Sequence, residues 1–153
     1  MIKINVFSED TAWSKKINKK EIFFNKICAS FPKKYRFINQ RATLTLLLSN
    51  NKKIKKLNFK FRNKNKSTDV LSFPLNRSVN LKKNKYLGDI IISYNFMNFP
   101  KKQKLDTFKK KVTKTFIHGF LHLIGFDHIK YKDFKIMHKE EEKIFKSVIS
   151  KDK

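Results

Sequence analysis

KKQKLDTFKKKVTKTFIHGFLHL, residues 101–123, places Leu105, Phe108, Val112, Phe116, Phe120 and Leu123 within about a 120° arc when wound at about 100° per residue. A helix with so long an apolar stripe needs an apolar layer to lie on. The segments before it supply one. VLSFPL (70–75) and YLGDIIIS (86–93) read as strands separated by the polar, lysine-rich loop NRSVNLKKNK (76–85), and RATLTLLLS (41–49) has the composition of a buried strand. Further out, IKINVF (2–7) alternates with period two.

Helical spacing fills the gaps. Trp13, Ile17, Ile22, Phe23, Phe24 and Ile27, at mixed helical spacing, predict a helix near residues 10–30, ended by Phe31-Pro32. NNKKIKKLNFKFR (50–62) offers Ile54, Leu57, Asn58 and Phe61 as the inner side of a short basic helix, followed by loop-like NKNKST (63–68). A last helix over 130–149 carries Phe134, Ile136, Met137, Ile144, Phe145 and Val148. No repeat or long linker divides the chain. The expectation is one α+β domain over 1–153, with a small mixed sheet of about four strands packed with about four to six helices.

Charge narrows the class of partner. Thirty-seven Lys and Arg stand against 12 Asp and Glu, a formal net charge of +25, and such a surface attracts polyanions. The longest apolar run, in RATLTLLLSN, is far too short to span a bilayer. The N-terminus alternates like a strand and lacks the build of a signal segment, so a cytoplasmic protein without a membrane partner is expected. Cys28 is the single cysteine, which excludes an internal disulfide and a thiolate-clustered zinc site. Most of the sixteen phenylalanines fall on core-facing spacing, and no base-stacking platform is evident.

The long helix also carries chemistry. HGFLHLIGFDH (118–128) holds three of the four histidines. His118 and His122 lie one turn apart, and Gly125 permits a left-handed turn that brings the chain, and with it His128, back to the helix flank. Three neutral imidazoles with one open position describe a catalytic zinc site, with one ion per chain. His138, outside the array, is expected at the surface. Zinc proteases with this spacing carry a glutamate after the first histidine as general base, but Gly119 stands there, which argues against peptide hydrolysis. On the helix projection Lys111 and Lys114 share the side of His118, and they are read as a cationic track leading phosphates to the metal. Asp127 is read either as an acceptor that orients an imidazole or as a cap of the turn. Asp69 and Asp89 are read as structural partners near the site.

Taken with LNFKFRNKNKSTDVLSFP (57–74) and LGDIIIS (87–93), the histidine block resembles the YbeY family of bacterial endoribonucleases, the rRNA maturation factors. The resemblance covers about residues 41–141. Where the family's loop usually reads R-x-K-D-x-P-T-D-V, this chain has Asn65 for the acid and Ser67 for the proline. The resemblance implies a zinc-dependent endoribonuclease specific for single strands, acting in 16S rRNA 3′-end maturation, ribosome quality control and 30S subunit assembly, on RNA rather than DNA. It implies zinc ligands at His118, His122 and His128, catalytic roles for Arg62 and His118, and substrate contacts from Arg62 and Lys64. A ribosomal protein and an assembly GTPase are implied partners. The alternative is an RNA-binding small-subunit assembly factor whose catalysis is weak or dispensable.

Overall fold

The computed structural model describes residues 1–75 and 85–152; most of the loop expected over 76–85 therefore lies outside the described residues. Four strands form: β1 (Ile2–Ser8), β2 (Ala42–Ser49), β3 (Val70–Pro74) and β4 (Lys85–Ser93). The helices are α1 (Ala12–Lys16), α2 (Lys20–Ala29), α3 (Asn51–Arg62), α4 (Tyr94–Met97), α5 (Leu105–Leu123) and α6 (Tyr131–Lys151), with a short 3-10 turn at Lys33–Tyr35. The sheet order is β1-β2-β4-β3. The first three strands in that order run parallel and β3 runs antiparallel to β4, so the expected mixed four-stranded α+β domain is what the chain builds.

β2 shows why. Leu44, Leu46 and Leu48 are fully buried on one face of the sheet, as period-two side chains on a covered strand must be. They meet Ile4, Ile90 and Ile92 and, from the helices, Trp13, Phe24, Phe116 and Phe120 in one large core. The opposite face carries a smaller cluster of Ile54, Leu71 and Ile91, covered by α3.

YLGDIIIS does not simply alternate, because β4 bulges. Opposite Thr43 and Thr45 of β2 stand Tyr86 and Asp89, one residue more than a regular ladder allows. Gly88 occupies the bulge at φ +136, and a Cβ there would come within 2.2 Å of the Phe73 carbonyl oxygen and 3.0 Å of Leu123 Cδ2. Glycine is therefore required, and its bare surface receives the end of α5.

Two expected helices change their bounds, and two short elements were not foreseen. The helix expected over 10–30 is two helices, because Ile17 turns extended (φ -130, ψ 99). Trp13 is tied through Nε1 to the Ser49 carbonyl at 2.9 Å, and this anchor with buried Ile17 overrides the local period. The long helix begins at Leu105, not Lys101. Tyr94–Met97 and Lys33–Tyr35 are too short for periodicity to reveal. No helix among the described residues is long and apolar enough to cross a membrane.

Candidate metal centre

The last turn of α5 and the turn after it build the centre. Gly125 takes φ 103, its N–H bonding back to the His122 carbonyl and the Phe126 N–H to the Leu121 carbonyl at 3.1 and 3.0 Å. These bonds satisfy helix-end carbonyls and fold the chain against the helix flank. His128 arrives beside His118 and His122, and the three offer ring nitrogens all within 4.8 Å of one another.

The ring orientations are set by the nitrogens that point away. His122 Nδ1 lies 3.0 Å from the Phe126 carbonyl oxygen, so it carries the proton and donates. His118 Nδ1 lies 3.2 Å from Glu141 Oε2, a carboxylate partner of the kind that fixes a ligating imidazole. Both Nε2 atoms are thereby left as acceptors, and they face each other at 3.1 Å. Nitrogens each about 2.0–2.1 Å from a tetrahedral ion lie about 3.3 Å apart, so this pair is already near ligand spacing. Burial lowers the His122 pKa, and the neighbouring His118 and His128 charges lower it further, against an opposing hydrogen bond to Phe126. The neutral ring that a metal requires is favoured. The residues present fit one divalent ion of the zinc type.

Gly119, next to His118, faces the sheet. A Cβ there would meet Ile90 Cγ2 at 3.0 Å and Ser72 Oγ at 3.1 Å, so a side chain at this position would press on the sheet instead of standing free beside His118. The Ser72 hydroxyl donates to the Gly119 carbonyl at 3.0 Å, while the Ser72 carbonyl accepts from Arg62 Nη2 at 3.1 Å. Two bonds through one strand residue thus connect Arg62 to the helix turn that carries His118 and His122. Lys64 follows on an exposed loop, whose backbone is held where Asn58 donates to the Lys66 carbonyl at 2.9 Å.

Other expected residues lie elsewhere. Lys111 bonds the Phe99 carbonyl and Gln103, whereas Lys114 reaches Glu142 of α6 at 3.5 Å and the Phe145 ring. They turn to different neighbours instead of lining one track. Asp127 Oδ1 accepts the His128 N–H at 2.7 Å, the turn-capping role of its two readings. Asp69 accepts from its own neighbours Thr68 and Val70. Asp89 is not near the histidines. The β4 bulge turns it to the far face of the sheet, where it bonds Tyr86 and, with Thr45, Leu47 and Phe73, lines a cleft of about 700 Å³ under α3. His138 is exposed and stacks on Phe134.

Sequence reasoning missed Glu141. Its only signal was the run Glu140-Glu141-Glu142, a quarter of the chain's 12 acidic residues, in the last helix.

Comparison with known proteins agrees with this geometry. The family model described as Endoribonuclease YbeY matches residues 5–149. The Endoribonuclease YbeY of Pelagibacter ubique is 63% identical over 151 residues, covering 99% of both chains, and that of Ehrlichia canis is 33% identical over 94% of this chain and 90% of its own. The solution structure of a Thermotoga maritima protein superposes with a TM-score of 0.59 at 27% identity, covering 99% of this chain and 91% of that one. The match runs from β1 to the end of α6 and takes in the three histidines, Arg62 and Glu141, and the chain belongs to the YbeY family of endoribonucleases.

Proposed function

We propose that this protein is a zinc-dependent endoribonuclease that cuts single-stranded RNA, with the 16S rRNA precursor as substrate in 3′-end maturation and quality control of the small subunit. That substrate would place it in the cytoplasm. The observation that carries the reading is the facing pair of imidazole Nε2 atoms at 3.1 Å, with His128 beside them, in a chain of this family.

His118, His122 and His128 would hold the ion. Zinc bound there supplies an acidified water and a positive centre for phosphate oxygens. The protein's own groups do the rest. Glu141 and the Phe126 carbonyl fix the tautomers and directions of two rings. Arg62 uses one N–H on Ser72, and a guanidinium has five, so a phosphate can still be gripped by two parallel bonds as charge develops on it. Lys64, exposed two residues on, adds a second positive charge to this loop. Lys111 and Lys114 would have to leave Gln103 and Glu142 to reach a phosphate, so the cationic work near the ion falls to Arg62 and Lys64.

The assembly-factor reading draws support from one observation, that +25 of charge far exceeds what a single cut site needs. Two assays separate the readings. A 16S 3′-precursor fragment is incubated with wild type and with identically purified His122→Ala and Arg62→Ala proteins. Cleavage by wild type alone, with all three folded, is expected. Equal cleavage by all three, or none despite bound zinc, would end the hydrolase reading. An assembly factor would also let His122→Ala support 30S maturation, and an enzyme would not.

A further inference from the structure

The outer face of α3 and the loop after it form a strongly basic surface. The segment 50–66 carries Lys52, Lys53, Lys55, Lys56, Lys60, Arg62, Lys64 and Lys66 and not one acidic residue. α3 turns Ile54 and Asn58 inward and leaves Lys52, Lys55, Lys56 and Phe59 exposed. Lys55 and Lys56 precede Phe59 by four and three residues, and Lys52 by seven, so all four side chains share one face. Phe59 is 56% exposed and stands amid that lysine cluster, although large aromatics are normally drawn into cores.

Local stability does not account for this face. Lys52 and Lys56, four apart, repel one another, as do Lys52 and Lys55. The first turn of α3 contains no acidic residue, so Lys52 faces the positive end of the helix dipole. Among the described residues none of Lys52, Lys55 and Lys56 is in an ion pair. Each of these features is unfavourable in the free protein and becomes favourable once phosphates lie along the helix. An exposed aromatic among cations is how single strands are held without sequence preference, by stacked base and neutralised backbone. A membrane is the weaker occupant, since Ile54 of α3 is already buried against Leu71 and Ile91 and the exposed face is lysine around a single aromatic. The face also leads somewhere, because α3 ends at Arg62, two hydrogen bonds from the turn that carries His118.

We infer that the exposed face of α3, Lys52, Lys55 and Lys56 around Phe59, is an RNA-holding platform that grips single-stranded substrate beyond the cut site and delivers it past Arg62. The inference rests on the endoribonuclease reading and extends its substrate footprint by about 15 Å along the helix.

The test compares wild type, the triple variant Lys52→Gln, Lys55→Gln, Lys56→Gln, and a control triple at exposed lysines elsewhere, Lys15→Gln, Lys19→Gln, Lys139→Gln, which removes equal charge. Each zinc-loaded protein is titrated at several salt concentrations with single-stranded RNAs of about four and about twenty nucleotides, and kcat and KM are measured on both. The α3 triple is expected to flatten the slope of log affinity against log salt for the long RNA by about 2. Its KM should rise about tenfold on the long RNA with little change in kcat, and the short RNA should be cut as before. Phe59→Ala should weaken long-RNA binding about tenfold at unchanged slope, with Phe59→Trp restoring it. The platform is overturned if the slope is unchanged, if the control triple matches it, if the short RNA suffers equally, or if the triple loses only binding to anionic vesicles. A wild type that cuts RNA while the α3 triple behaves identically overturns the platform alone. A wild type that neither binds nor cuts overturns the enzymatic reading with it.

Discussion

A methyl group at position 119 would press on Ile90 Cγ2 and Ser72 Oγ at 3.0 and 3.1 Å, so α5 lies as close to the sheet as a bare backbone permits. Gly119→Ala should therefore destabilise the fold by about 1–3 kcal/mol, read as a lower urea midpoint, because the helix must lift or its neighbours must shift. Glu141 acts on the other side of His118. Glu141→Ala should leave the apo protein folded and weaken metal binding about 10–100-fold in a chelator competition, since the ring loses the partner that fixes its direction. Unchanged affinity would show that the 3.2 Å contact does not orient the ligand. The three clustered histidines were legible in the sequence because they lie within eleven residues and their geometry follows from one helix turn and one glycine. Glu141 was not, because it stands 23 residues from His118 on another helix and only tertiary packing brings it there. Phe59 was likewise hidden, since helical spacing alone does not say which of sixteen phenylalanines lacks a covering layer.

Elements are joined by a few polar contacts that have their own pH dependence. Glu140 of α6 accepts from Tyr35 and pairs with Lys34 at 2.8 Å, which pins the last helix to the 3-10 turn. Burial raises its carboxyl pKa, but the hydrogen bonds from Lys34, Tyr35 and Lys143 outweigh burial and hold it at about 2. The folded state thus prefers the ionised form. Its contribution is complete above the ordinary value of 4.5 and is lost as pH falls from there towards 2. Exposure of both lysines limits it to about 1 kcal/mol. Urea midpoints measured between pH 3 and pH 7 should fall towards acid in the wild type, and Glu140→Gln should flatten that part of the curve. Elements with a steady period, such as α5, were readable end to end apart from a first turn of lysines. α1 and α2 were not separable, because a core anchor on Trp13 decides the break. Asp89 was misplaced for a similar reason, as one extra residue at a bulge sends every later side chain of β4 to the opposite face.

The whole molecule carries +25 on 153 residues, and that charge opposes compactness through self-repulsion. Raising KCl from about 0.05 to 0.5 M should shorten the screening length several-fold and raise the melting temperature. A melting temperature that falls with salt would mean that attractive ion pairs outweigh the repulsion. The layer architecture was legible because alternation, a long apolar stripe and the ordering of strands before the long helix leave few ways to build one core. The sheet's order was not, since two parallel pairings join segments about forty residues apart. Helix α6 follows the three histidines along the chain, yet it supplies Glu141 to His118 and Glu140 to Tyr35 and Lys34. A polypeptide emerging from synthesis therefore displays its histidines before it owns the carboxylate that aims one of them, and the centre is finished by the element made after it.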